Sequence, residues 1–228
     1  MSEGRKSVLA AVARALGRDG PDAATRAGLE ERLSRPQPNL IPARGQLAPA
    51  GCVELFATMA SEAAATVARL PSVAAAPAAV ADYLRRENLP PRIRLAPDPA
   101  LEQLPWGDWP LLSVSSGRAF GVEPVSCTGA FAGIAETGTL MLVSGPASPT
   151  TLNFLPDTHI VLLHAEKVVG AYEDGWALLR RATGGAMPRT VNFITGPSRS
   201  ADIEQTLQLG AHGPRRLHIL LIDAGTTA

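Results

Sequence analysis

Residues 190–223, TVNFITGPSRSADIEQTLQLGAHGPRRLHILLID, carry the reading that decides the fold. Val191, Phe193 and Ile194 are β-branched or aromatic and predict a pleated strand. Gly196 and Pro197 end it. Ser198 then has the residue type of a helix N-cap, and Asp202 and Glu204 suit the first turns of a helix. Ile203, Leu207 and Leu209 supply its apolar stripe. Gly210 and Gly213 with Pro214 stop that helix, and residues 217–222 form an apolar strand. The expectation is a β-α-β unit with parallel strands and a right-handed crossover.

The strand-to-helix junction of that unit is Gly196, Pro197, Ser198, Arg199 and Ser200. Backbone N–H groups, a helix dipole, two hydroxyls and a guanidinium together suit a phosphate or a carboxylate. A purely structural reading stands beside it, in which Ser198 caps the helix and Arg199 pairs with a nearby acid. The pattern is neither a Walker loop nor a GxGxxG dinucleotide motif. His212, in the following turn, is placed to reach a site at this junction, although turn histidines are commonly only solvated or capping.

Outward from this stretch, 228 residues suffice for one large domain with an extension. The 21 basic and 21 acidic residues cancel, which argues against nucleic acid or an anionic membrane as the main partner. Apolar runs fall well short of the roughly 20 residues a membrane span needs. The N-terminus reads as an amphipathic helix interrupted by Arg14, not as a signal peptide. Cys52 and Cys127 are far apart and belong to no CxxC or Cys/His cluster, so this chain alone cannot ligate an iron-sulfur cluster or zinc. Two reduced cysteines suit a cytoplasmic protein.

Residues 7–16 place Val8, Leu9, Val12 and Leu16 on one helical face, and a second helix over 23–33 carries Leu29 and Leu33. The Pro-rich run 34–50 follows. The expected organisation is an N-terminal helical arm and linker, residues 1–50, ahead of an α/β domain, residues 51–228. The arm either stands apart or docks through Leu40 and Ile41. A long helix is expected over 52–70, then a short strand over 72–75, a helix from Pro77, and strands over 92–95, 111–114, 122–126, 139–144 and 159–163. Residues 97–110 and 149–153 read as loops, and residues 172–181 as a helix. This alternation predicts a layered α/β fold with a mainly parallel sheet.

Glu136 is the one carboxylate in the otherwise uncharged run 124–156. It is either a structural acceptor for backbone N–H groups or a functional acid. His218, inside the last strand, reads as structural, and His159 suits a local hydrogen bond near Asp157. Neither a nucleophile elbow nor HExxH is present, so hydrolase and metalloenzyme readings rank low.

Four motifs in order, GIAETGTLML, LPDTHIVLL, TGPSRSADIE and LGAHGPRRLHILL, resemble the lactate-utilisation protein C (LutC/YkgG, LUD-domain) family. The resemblance covers roughly residues 52–225, with Ser200 where the family usually has Thr. It implies the α/β/α sandwich of the ribose-phosphate isomerase and CoA-transferase superfamily (NagB/RpiA/CoA-transferase-like). It also implies a non-redox role in a cytoplasmic system oxidising L-lactate to pyruvate, beside an iron-sulfur subunit and a cysteine-rich subunit. The clusters would then belong to a partner, with no cofactor bound by this chain alone. The motifs mark Glu136 and His212 as candidate catalytic residues. Thr137, Gly138, Thr139, Gly196, Pro197, Ser198, Arg199, Ser200 and Asp202 are the candidate ligand-binding residues. In distant relatives of this fold a Glu in an acid-x-Gly setting attacks acyl-CoA, and Glu136-Thr137-Gly138 is similar by fold-level analogy, so a free-standing transferase or isomerase using Glu136 is the alternative.

Overall fold

Two apolar strands, β7 (Thr158–His164) and β12 (Arg216–Ile222), hold the centre and are buried along nearly their whole length. A strand covered on both faces belongs inside a parallel sheet. The computed structural model describes residues 3–17, 20–203, 206–210 and 212–223, and for 200–203 and 206–209 the backbone alone. β7 and β12 pair in parallel from Arg216↔Thr158 to Ile222↔His164. β1 (Thr66–Leu70) flanks β12, and β4 (Val125–Gly129) flanks β7. β2 (Arg92–Leu95) and β3 (Ser113–Ser116) complete a six-stranded sheet in the order β1-β12-β7-β4-β2-β3, every pair parallel.

One face of this sheet is covered by α4 (Ala76–Arg86) and α5 (Pro99–Glu102). Val80, Leu84 and Leu101 pack there with Ile93, Leu95, Ile160, Leu162 and Leu220. The opposite face takes α3 (Pro49–Glu62) and a second sheet, through Phe56, Ala60, Leu140, Leu142, Val161, Leu163 and Ile219. The second sheet contains β5 (Ala132–Ile134), β6 (Thr139–Val143), β8 (Val168–Val169) and β9 (Val191–Ile194), in the order β8-β5-β6-β9. Its other side is closed by α7 (Tyr172–Thr183), whose Leu179 and Trp176 pack with Met141 and Phe193. The architecture is the layered α/β fold with a mainly parallel sheet that the sequence predicts.

The chain divides into two compact units, Met1–Leu40 and Ile41–Ala228. The first contains α1 (Glu3–Ala15) and α2 (Ala23–Ser34), and Asp22 caps α2 by accepting from the Thr25 N–H at 2.7 Å. No described helix is long and apolar enough to cross a membrane.

Several local expectations are corrected. The helix expected over 198–209 is instead an antiparallel hairpin, β10 (Arg199–Ile203) with β11 (Thr206–Leu209). Leu207 and Leu209 satisfy a period of two as well as a helical spacing, and so short a window does not separate them. The opening segment is therefore not a β-α-β unit. β9 runs antiparallel to β6 in the second sheet, while β12 lies in the main one. The helix expected over 52–70 ends at Glu62, turns through Ala64 at φ 66°, and resumes as β1 against β12. Residues 73–75 are a 3-10 turn rather than a strand, and the expected loop 149–153 contains α6 (Thr151–Phe154).

His218 shows how a polar residue survives in β12. Its ring stacks on Tyr83 with centroids 3.9 Å apart, and Nδ1 lies 2.7 Å from Thr66 Oγ1. Burial, aided by the Arg86 charge, pushes its pKa down from 6.5 to about 4. The unfolded chain therefore takes up this proton first as pH falls, so the stability it contributes is complete above 6.5 and is lost toward pH 4. We expect the unfolding free energy from urea titration to fall across that window, by roughly 3 kcal/mol for His218 alone. His218→Gln should show a shallower fall, and equal slopes for the two proteins would contradict the assignment.

Candidate functional site

β9 delivers the 195–199 segment to the amino ends of β7 and β12, where a cleft of about 260 Å³ opens. Thr195, Gly196, Pro197, Ser198 and Arg199 form one side, and His212, Gly213 and Pro214 another. Asn153 of α6 and His159 of β7, only 2% and 0% exposed, lie deepest. Arg199 and His212, which sequence reasoning set near one another, thus line one cleft.

The walls are fastened by backbone as much as by side chains. Ser198 N–H donates to Pro214 O at 2.8 Å, and Gly210 N–H donates to Ser198 O at 3.2 Å. Ser198 Oγ accepts from His212 N–H at 3.3 Å, so this hydroxyl ties down the 212–214 turn instead of capping a helix. In that role it keeps its own proton to donate. Gly196 is required by close approach: its φ is 70°, and a Cβ there would stand 2.0 Å from Ala63 O.

Two polar groups of the cleft lack partners among the described residues. His159 Nε2 bonds Thr128 Oγ1 at 2.8 Å, but its buried Nδ1 has none, and neither does Asn153 Oδ1. Burial pushes the His159 pKa down to about 3, so the ring is neutral near pH 7. A buried polar atom without a hydrogen bond costs about 1–3 kcal/mol, which makes these two atoms anomalous unless something in the cleft engages them. Sequence reasoning left both out of the site. The visible signal was a polar residue opening the apolar run of β7.

Glu136 lies elsewhere. The residue is 5% exposed, and its Oε1 accepts the Tyr172 N–H at the start of α7 at 3.0 Å. That is a favourable position for a negative charge at a helix N-terminus. Thr139 Oγ1 lies 2.7 Å from Thr137 Oγ1, 2.9 Å from Tyr172 Oη and 2.5 Å from Thr195 Oγ1. These hydroxyls join the 136–139 segment to the cleft wall at Thr195. Gly138, at φ 65°, presses on α3, where a Cβ would meet Ala60 N at 2.1 Å. Ser200 and Asp202 are in β10, and their side chains fall outside the described atoms; Glu204 lies outside the described residues.

Residues 53–222 match the LUD domain family. The chain belongs to this family. It is 37% identical over 91 residues to lactate utilization protein C of a Geobacillus species, covering 39% of this chain and 38% of that one. The Bacillus subtilis protein of the same name is 35% identical over 92 residues, 40% of this chain and 38% of its own. An uncharacterised protein of Neisseria meningitidis serogroup B is 45% identical over 95 residues, 42% and 40% of the two chains. The matched stretch thus spans about two fifths of each curated relative. A crystal structure of a DUF162 family protein from Deinococcus radiodurans shares the LUD-domain chain's fold, with a TM-score of 0.59 and 22% identity. It covers 77% of this chain and 99% of that one.

Gly138→Ala combines a left-handed backbone with a collision against helix backbone that no side-chain movement relieves. We expect it to cost about 3 kcal/mol and lower Tm by roughly 10 °C. An unchanged melting curve would contradict the close packing of Gly138 on α3.

Proposed function

We propose that this LUD-domain chain is a non-redox component of a lactate-utilisation system and binds a small organic anion in the cleft at Arg199. The observation that carries the binding half is the unmet hydrogen-bonding capacity of His159 Nδ1 and Asn153 Oδ1 in a cleft that Arg199 also lines. Arg199 has no ion-pair partner among the described residues, and a guanidinium on the cleft wall suits a carboxylate or phosphate. Ser198 offers a hydroxyl donor. Neutral His159 and Asn153 can take up a hydroxyl or carbonyl on the same ligand. A 2-hydroxy or 2-oxo acid carries those groups on adjacent carbons, which supports lactate or pyruvate as the ligand class.

The names of the Geobacillus and Bacillus relatives support the lactate-utilisation half. In this reading the electrons pass to iron-sulfur and cysteine-rich partners, while this chain binds the organic anion and docks to them in the cytoplasm. Its two cysteines, Cys52 and Cys127, are buried and unpaired, and burial pushes the Cys127 thiol up to about 12. A protonated, inaccessible thiol is a poor nucleophile or metal ligand, which supports leaving the redox chemistry to a partner.

Removing this chain from its host cell while both partners remain should abolish lactate oxidation, and wild-type protein should restore it. Arg199→Gln should restore it poorly and bind pyruvate at least about tenfold more weakly by calorimetry, the usual scale for losing a charge-assisted bond. Undiminished lactate oxidation without the chain would overturn the assignment to the system. Unchanged pyruvate affinity in Arg199→Gln would overturn the anion site.

A further inference from the structure

The parallel sheet has a second cleft at its opposite edge, independent of the one at Arg199. β2 and β4 are neighbours, yet within this sheet the strand that follows β2 is β3 on one side, and the strand that follows β4, after β5 and β6 of the second sheet, is β7 on the other. In open parallel sheets the carboxyl ends of two such strands splay apart and leave a crevice, the usual place for a ligand. Here that crevice is a cavity of about 240 Å³. Asp98 reaches it from beyond the end of β2, Gly129 from the end of β4, and His164 from the end of β7. Lys167 follows His164 within one 3-10 turn.

The chemistry of the lining is uneven. Leu101, Leu162 and Phe131 make an apolar wall, and Asp98, His164 and Lys167 supply the polar groups. Asp98 Oδ1 is committed to the Ala100 N–H at 3.0 Å, which leaves Oδ2 as a charged acceptor. Oδ2 faces Gly129, 3.9 Å from where a Cβ would stand. Among the described residues neither His164 nor Lys167 has a side-chain hydrogen bond or ion pair, and Lys167 and Asp98 form none with each other. A cation and a carboxylate on one small cavity, held apart, leave room for a ligand with complementary groups at its two ends.

We propose that this carboxyl-edge cleft is a second binding site, for a small hydroxylated organic anion. Lys167 takes the anionic group, Asp98 Oδ2 and His164 take hydroxyls, and Leu101 and Leu162 cover the carbon skeleton. Ligand pockets for drug-sized molecules run from about 300 to 1,000 Å³, so this cavity suits a few-carbon compound and not a whole nucleotide cofactor.

The four histidines report the two clefts separately. His164 lies at this one, His159 and His212 line the other, and His218 is in neither. The test is a titration of the full-length chain with glycerol 3-phosphate, followed by the histidine ring proton resonances. A saturable His164 shift with a Kd of about 1 mM or tighter is expected, with His218 unmoved. Lys167→Gln, a change at an exposed position, should remove that shift. Propyl phosphate, which lacks the hydroxyls, should bind about tenfold more weakly, and Asp98→Asn, which keeps a capping side chain, should narrow that difference. Shifts confined to His159 and His212 would overturn this second site while leaving the first standing. No histidine shift, or a His164 shift unchanged in Lys167→Gln, would also overturn it.

Discussion

The last of the described strands is the one on which the fold depends. β12 enters between β1 and β7, pairing with β1 from Thr66↔His218 to Leu70↔Ile222 and with β7 along its full length. Without it β1 has no partner in the sheet, because β1 is an edge strand whose single neighbour is β12. Such long-range parallel pairing must be reached after most of the chain is made, and its loop-closure cost is recovered only on burying Leu217, Ile219, Leu220 and Leu221. His218 is tolerated there because Tyr83 and Thr66 meet both its ring face and its nitrogen.

The central strands were legible because two-sided burial writes itself as an unbroken apolar run, as in β7 and β12. α4 and α7 were legible from helical spacing, and β9 from its β-branched and aromatic residues. The partner of β9 was not legible. A strand-turn-strand segment carries no mark of which sheet each strand joins, and β9 serves the second, mixed sheet beside β6. The 198–209 hairpin failed for a related reason, since Ser198 suits both an N-cap and a turn anchor. The sequence extends α3 past its true end because alanines 63–65 are good helix formers, and only the pairing offered by β12 draws Thr66 and Val67 into a strand.

The same misplacement of β9 governed the reading of the site. An anion-ready helix start was expected at Ser198, but the segment carries no helix, and what remains is a cleft at the amino edge of the main sheet. The polar groups that line it are side chains, Arg199, Ser198, His159 and Asn153, and the proposed binding rests on these, not on a dipole. The motif residues around Glu136 are not its lining. Glu136 caps α7, Gly138 and Gly196 let two loops lie against the end of α3, and Thr139 links those loops through Thr195. Sequence motifs therefore mark the scaffold of the cleft as well as its surface. A transferase-like use of Glu136 would fall to Oε2, because Oε1 accepts the Tyr172 N–H.

The most direct test of the account is a crystal structure of the full-length chain grown with pyruvate. The account predicts its carboxylate against Arg199 and Ser198, with its keto oxygen or an attendant water bonded to His159 Nδ1. An occupied cleft in which Arg199 turns away to a protein acid, or pyruvate found only against Glu136, would contradict it.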